Sequence, residues 1–241
     1  LFPDSDLVLL EHFRSVPQII SYSNNLSYKN RLIPLRQPPH QPLSPLEHRF
    51  VSEGYREGEG AKAYNQAEAD HICQQIQQCC NDPAYAEKSI GVISLQGVGQ
   101  ANLIQERLLE LIGASKIEEH NIMCGDPYSF QGDERDIIFL SMVIGSNRRH
   151  NTLTMKKFQQ RYNVAASRAK DQMWLFYSVK REDLNPNGLR RQLLEHFIEP
   201  DRFTPTISGI DNISELQQLA VAKGRENGTQ PAPFDSWFEV D

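Results

Sequence analysis

The chain has 241 residues, 39% of them hydrophobic, and a formal net charge of −6. That is enough for one large domain, or a domain with an appendage, around a rather polar core; the acidic balance excludes a global basic field that would advertise nucleic-acid binding. No apolar run is long enough to span a membrane, no signal peptide is present, and Cys73, Cys79, Cys80 and Cys124 fit no zinc or redox spacing, which predicts reduced thiols in an intracellular protein.

Residues 7–10 (LVLL) predict a short strand. Ser15, Pro17 and Gln18 then predict a helix start. Ser15 caps, Pro17 suits the first turn and Gln18 completes a capping box. The helix runs through Ile19, Ile20 and Tyr22 to about Leu26. Residues 34–60 are rich in proline and glycine and predict a surface excursion, with an extended piece at 48–52. Asn65 caps the next helix, whose buried stripe is Ala69, Ile72, Cys73, Ile76 and Cys80. Glu68 stands at its third position, where it can bond back to the cap's amide, and capping accounts for it without any chemistry.

Residues 90–95 predict a strand. Gln96-Gly97-Val98-Gly99-Gln100 leads into a helix over 101–112, closed by Gly113, with Ile104, Leu108, Leu111 and Ile112 inward. The Gly97/Gly99 pair lacks a downstream Gly-Lys-Ser/Thr, so it reads as a sharp strand-to-helix turn and not as a phosphate loop. A short strand at 121–124 enters the stretch that organises the chain, residues 126–177. Here a loop holding Gln131, Gly132, Asp133 and Glu134 precedes an apolar run from Ile137 to Ile144, the pattern of a strand buried on both faces. A polar helix over 156–170 follows, packed by Phe158, Tyr162, Ala165, Ala166 and Ala169, and then a strand over 173–177. Arg148, Arg149, Lys156, Lys157, Arg161, Arg168 and Lys170 make this region locally basic on an acidic chain. Two buried strands, each after a charged loop or helix end, predict an α/β fold with charge at the edge of a parallel sheet, where open α/β folds place ligands. Asn185-Pro186 opens a last helix, with Leu189, Leu193, Leu194 and Phe197 inward. Residues 199–232 read as a linker with one short helix over 213–223.

Three segments carry a resemblance. Ser129-Phe130-Gln131-Gly132-Asp133-Glu134-Arg135-Asp136-Ile137-Ile138 resembles motif V, and Arg161-Tyr162-Asn163-Val164-Ala165-Ala166-Ser167-Arg168-Ala169-Lys170 resembles motif VI, of superfamily 1 helicases of the Upf1/Dna2-like branch. The segment from Phe13 through Arg14 to Tyr28 is similar to the head of the second motor domain in that family, with Phe13 in place of the usual Tyr. The resemblance implies a RecA-like three-layer α/β/α domain with a mostly parallel sheet, spanning residues 1–198 and lacking its own Walker A. Residues 233–241 resemble the start of a C-terminal restriction-endonuclease-like domain, Glu239 being its early acidic residue; a docking tail is the alternative.

For the site, the resemblance implies that Arg168 is an arginine finger and that Arg14 lies near the nucleotide phosphates. Glu134 would approach the nucleotide sugar, with Gln131, Gly132 and Arg161 around the same nucleotide. Ser129, Asn163 and Gln100 are the implied contacts to nucleic acid. The residues themselves also allow blander readings: Arg14 salt-bridged at a helix start, Arg168 on a helix surface, Glu134 bridged to Arg135 or Arg161, and Gln100 in a helix-start contact. Gly132 is read as permitting a positive φ or a close approach to a ligand. The implied cofactors are ATP and Mg²⁺, the metal's ligands belonging to a first motor domain. The implied partners are single-stranded DNA or RNA, that first RecA-like domain and the nuclease-like domain, with no membrane. No GxxxxGK[ST] and no Walker B acidic pair occur, so the chain alone is expected to be inactive. A helicase-derived binding module without ATP turnover is the second reading; a scaffold presenting the nuclease-like domain is a third.

Overall fold

Strand β6, Arg135–Gly145, is the spine of the molecule, because its uninterrupted apolar run gives it two faces to bury. The computed structural model describes residues 11–39, 42–148 and 152–200, all within one unit of the chain, Leu1–Thr204. The expected strand at 7–10, the linker from 201 onward and the nuclease-like start lie outside the described residues.

The elements follow in the order β1 (Glu11–His12), α1 (Pro17–Tyr28), β2 (Ile33–Pro34), β3 (Leu46–Phe50), α2 (Gln66–Asn81), β4 (Ile90–Ser94), α3 (Gly99–Glu119), β5 (Met123–Gly125), β6, α4 (Lys156–Ala166), β7 (Ala169–Ser178) and α5 (Leu189–Ile198). Five strands form one sheet in the order β3-β7-β6-β4-β5, and every pairing in it is parallel. The short strands β1 and β2 pair in parallel beside it. Alternation along β6 separates the core into two layers. Ile138, Leu140, Met142 and Ile144 face Ile19, Tyr22, Tyr162, Leu193 and Phe197 from α1, α4 and α5. Ile137 and Phe139 face Ile72, Ile76, Ile104 and Leu108 from α2 and α3. The result is a three-layer α/β/α domain.

Several local expectations are corrected. Ser15 does not cap α1; Val16 holds that position with Pro17 behind it, and Ser15 Oγ meets no partner among the described residues. The backbone explains the shift: Val16 N donates to Lys170 O at 3.0 Å, which pins the helix start to β7 and turns Ser15 inward. The extended piece within 34–60 is β3, an edge strand of the main sheet whose sequence, LEHRF, carries little apolar signal. Gly113, with φ 76°, closes the first part of α3 as expected, and a second helical stretch continues beyond this kink to Glu119; Leu111, just before it, is 42% exposed and not inward. Helix α4 stops at Ala166, so Ala169 and Lys170 belong to β7, and Arg168 sits in the joint between helix and strand. The Gly97/Gly99 turn is filled by backbone: a Cβ on Gly97 would lie 2.7 Å from Ala61 Cα, and one on Gly99 2.8 Å from Lys62 C. That leaves no cradle for a phosphate and agrees with a sharp turn.

Candidate functional site

Loops that precede parallel strands emerge at the same edge. The loop of Gln131 to Glu134 precedes β6, and Ser167-Arg168 precedes β7, and Arg135 is in register with Ala169. Both charged segments therefore meet at the amino edge of the sheet, not at the carboxyl edge where open α/β folds usually hold ligands. The tie from Val16 to Lys170 brings Arg14 to the same place.

Glu134 is the hub of this edge. It forms ion pairs with Arg14 and, at 3.0 Å, with Lys170. Burial works against its ionisation, but Lys170 and Arg14 outweigh it and hold the carboxyl below the usual range. Its partners are thus neither Arg135, which pairs with Asp133, nor Arg161. Arg168 is held differently. Its Nε donates to Val164 O at 3.2 Å, Nη1 to Asp133 O at 3.3 Å and Nη2 to Ser167 Oγ at 3.4 Å. All three acceptors are neutral, so the guanidinium is oriented without being neutralised. Burial, and then Arg14, lower its pKa from the ordinary value, with Glu134 among the groups opposing. Arg14 and Lys170 share the Glu134 carboxylate while Arg168 bonds only neutral acceptors, so the edge keeps a net positive charge.

His12 completes the setting and was not legible in the sequence. Its Nε2 accepts from Ser15 N at 3.1 Å, fixing the turn between Arg14 and α1. Burial and Arg14 lower its pKa to about 4, against Glu134, so it is a neutral acceptor near pH 7. Gly132 has φ 88° with open space where a Cβ would stand, so backbone conformation explains the glycine.

The other expected residues are dispersed. Gln131 is exposed on the loop. Ser129 is also exposed, its Oγ donating to Asp126 at 3.0 Å. Arg161 lies over the Tyr128 ring, 5.6 Å from its centroid, on the same loop. Asn163 lies beside α1: its main-chain carbonyl accepts from Ser23 Oγ at 3.3 Å, and its side-chain Oδ1 is buried. Gln100 is a correction. It has no accessible surface; its amide accepts from Asn65 N at 2.7 Å and donates to Asn65 O and Ser141 Oγ. A side chain so committed cannot touch a strand.

The carboxyl edge carries a second charged cluster. Arg148 follows β6, Arg190 opens α5, and Arg56 lies in the segment after β3. Burial, then Arg148 and Arg190, lower the pKa of Arg56, with only Glu59 opposing. A cavity of about 860 Å³ opens beside them, lined in part by Ser146, Arg148, Thr152, Arg190 and Arg191. Arg148 stands in the basic stretch the sequence marks out; Arg56 and Arg190 are single arginines far apart in the chain, with no linear signal. Among the described residues no group of three or more His, Cys, Asp or Glu is placed to hold a metal, and no helix is long and apolar enough to cross a membrane. The four cysteines are free thiols; burial raises Cys73 to about 12 and Cys79 to about 11.

A parallel five-stranded sheet between two helical layers, with a guanidinium-rich amino edge, is the three-layer α/β/α architecture expected of a RecA-like domain. The chain belongs to the AAA domain family, whose model matches residues 3–180. It is 30% identical over 191 residues, 67% of this chain and 18% of the relative, to mov-10-B.1 of Danio rerio, a protein with helicase in its name. It is 28% identical over 211 residues, 80% of this chain and 18% of the relative, to the uncharacterized ATP-dependent helicase MG140 homolog of Mycoplasma pneumoniae. Among solved structures it is similar to the C-terminal domain of a possible DNA helicase from Lactobacillus plantarum, with a TM-score of 0.41 and 13% identity over 68% of this chain and 86% of that one. This is a helicase-related domain, and it spans under a fifth of the length of the curated relatives it matches.

Proposed function

We propose that the chain is the second motor domain of a superfamily 1 helicase or translocase of the Upf1/Dna2-like branch, contributing the arginine side of an ATP site shared with a first motor domain. The observation that carries this is the state of Arg168: oriented by three neutral acceptors, and beside Arg14 at the same edge. A guanidinium fixed in that way can meet charge that grows on a phosphoryl group during transfer. ATP supplies the phosphoryl chemistry when bound, and its phosphates fit the Arg14 and Arg168 guanidinium groups. The ligands of Mg²⁺ are assigned in this reading to the first motor domain. Glu134 holds Arg14 and Lys170 in place and offers carboxylate oxygens to a ribose; Gln131, Gly132 and Arg161 shape that loop. Residues 1–198 form the motor domain in this reading, with a linker over 199–232 and a nuclease-like domain beginning at 233.

The strand surface belongs at the carboxyl edge. Arg56, Arg148 and Arg190 can each take a backbone phosphate without reading sequence, and Ser129 and Asn163 of the amino-edge segments are the lesser candidates. The test is fluorescence anisotropy of the chain with a labelled single strand across a potassium chloride series. Binding is expected to be weak, with log affinity falling against log salt at a slope near −2, about −0.7 for each of three contacts. Tight binding that ignores salt would replace this picture with base stacking.

A further inference from the structure

Beneath the carboxyl edge lies one carboxylate that the nucleotide site does not use. Glu68 enters from the first turn of α2 and has no accessible surface. Its Oε2 accepts from Ser141 Oγ at 2.7 Å and from Val143 N at 2.9 Å. Its Oε1 accepts from Ser178 Oγ at 2.8 Å and Asn65 Nδ2 at 3.2 Å. Four donors converge and none of them is a cation. The cap role expected for Glu68 is not filled, because Asn65 N donates to Gln100 instead. Burial raises the Glu68 pKa to about 7, against the pull of its donors. An ion without a counter-ion in the core weakens the fold at neutral pH, so stability alone gives no reason for it.

What the carboxylate holds is a break in β6. Val143 has φ 56°, a conformation that a β-branched residue rarely takes. The register against β7 shifts between Ser141 and Gly145 at this point, and the Val143 amide turns to Glu68. Beyond the break the chain exits through Gly145 and Asn147 to Arg148. Asn147 grips Arg56 twice, accepting from its N and donating to its O, each at 3.0 Å. The segment carrying Arg56 lies directly on two of the Glu68 partners: a Cβ on Gly54 would stand 2.0 Å from Ser178 Oγ and 2.8 Å from Asn65 Nδ2. One on Gly145 would stand 2.7 Å from Arg56 N.

We propose that Glu68 is the positioning residue of the arginine cluster: by fixing the Val143 break and the floor under Gly54, it sets the spacing of Arg56 and Arg148 for neighbouring phosphates of a single strand. The inference rests on the strand-binding reading above. Arginines displaced from the strand would make fewer phosphate contacts, which lowers the salt slope as well as the affinity; a loss of folded protein lowers the amplitude of binding and leaves the slope alone.

The test is the salt slope of the whole chain with a fluorescein-labelled oligothymidylate near pH 8, alongside a thermal melt. Arg56→Ala/Arg148→Ala should make the slope shallower by about 1.4, two contacts of about 0.7 each. Glu68→Gln should make it shallower by at least about 0.7 while the melting transition is kept. Adding Val143→Gly to Glu68→Gln should restore most of the slope, since glycine adopts a positive φ without help. A folded Glu68→Gln variant with the wild-type slope overturns the proposal. An unchanged slope in the double arginine variant overturns the strand reading itself, and the inference with it. If Glu68→Gln fails to fold, Ser178→Ala, which loosens the same floor by one hydroxyl, is read in its place: a shallower slope supports the proposal and an unchanged one overturns it.

Discussion

Arg168→Ala in a full-length parent is expected to lower kcat by on the order of 10³-fold or more, while ATP affinity falls only modestly. The guanidinium is placed by neutral acceptors at the joint of α4 and β7, and in the proposed role it meets charge that appears only as the phosphoryl group leaves. Arg168→Lys should be nearly as slow. An ammonium keeps the charge but loses the planar fork that reaches the carbonyls of Val164 and Asp133 while presenting nitrogens to a phosphate. Neither change should unfold the domain, because Tyr162, Ala165 and Ala166 pack α4 without this side chain. Steady-state ATPase kinetics beside a nucleotide titration and a thermal melt check the prediction. A near-normal kcat in Arg168→Ala, or activity lost only in step with stability, would make Arg168 a structural arginine.

The second large effect is on stability. Relative to wild type, Glu68→Gln is expected to gain roughly 3 kcal/mol of stability as pH rises from below about 4 to about 8. The sign follows from the raised pKa, about 7 in the folded domain against 4.5 for the free side chain. Below the lower value both states are protonated, and the folded state has its full advantage. As pH rises through the folded value the folded domain must bear a buried charge that the unfolded chain hydrates, and that stability is lost. Taking the difference between the two proteins removes Glu134 and Asp171, whose lowered pKa values give contributions of opposite sign. Urea unfolding at several pH values measures it. Parallel pH profiles for the two proteins would show that Glu68 does not titrate in this range.

Much of the fold was legible because its causes are local. An eleven-residue strand with nearly every residue buried announces itself by composition, and Asn65 caps α2 as its position in the sequence implies. The charged amino edge was legible only through resemblance. Arg14 and Glu134 stand 120 residues apart, and nothing in either neighbourhood states that they meet. The parallel topology brings them together at the amino edge, where the loops that precede β6 and β7 emerge. What was missed is long-range in the same way. Glu68 looked like a cap residue because its spacing from Asn65 suits one, yet its partners lie 73 and 110 residues away on β6 and β7. The expected extended piece at 48–52 marks β3 only in part, because an edge strand with a polar sequence has no alternation to betray it. Arg56 and Arg190 become a cluster only once three strand ends are gathered at one edge.

In the proposed function, this chain holds the arginine half of a divided ATP site. Trans-complementation measures it most directly: phosphate release from the chain alone, from the preceding motor domain alone, and from the two mixed with single-stranded DNA. Each part is expected to give background release and the mixture clear release, with a return to background when the chain carries Arg168→Ala. Turnover by the isolated chain that survives Arg168→Ala, or a mixture as active with Arg168→Ala as with wild type, would contradict it.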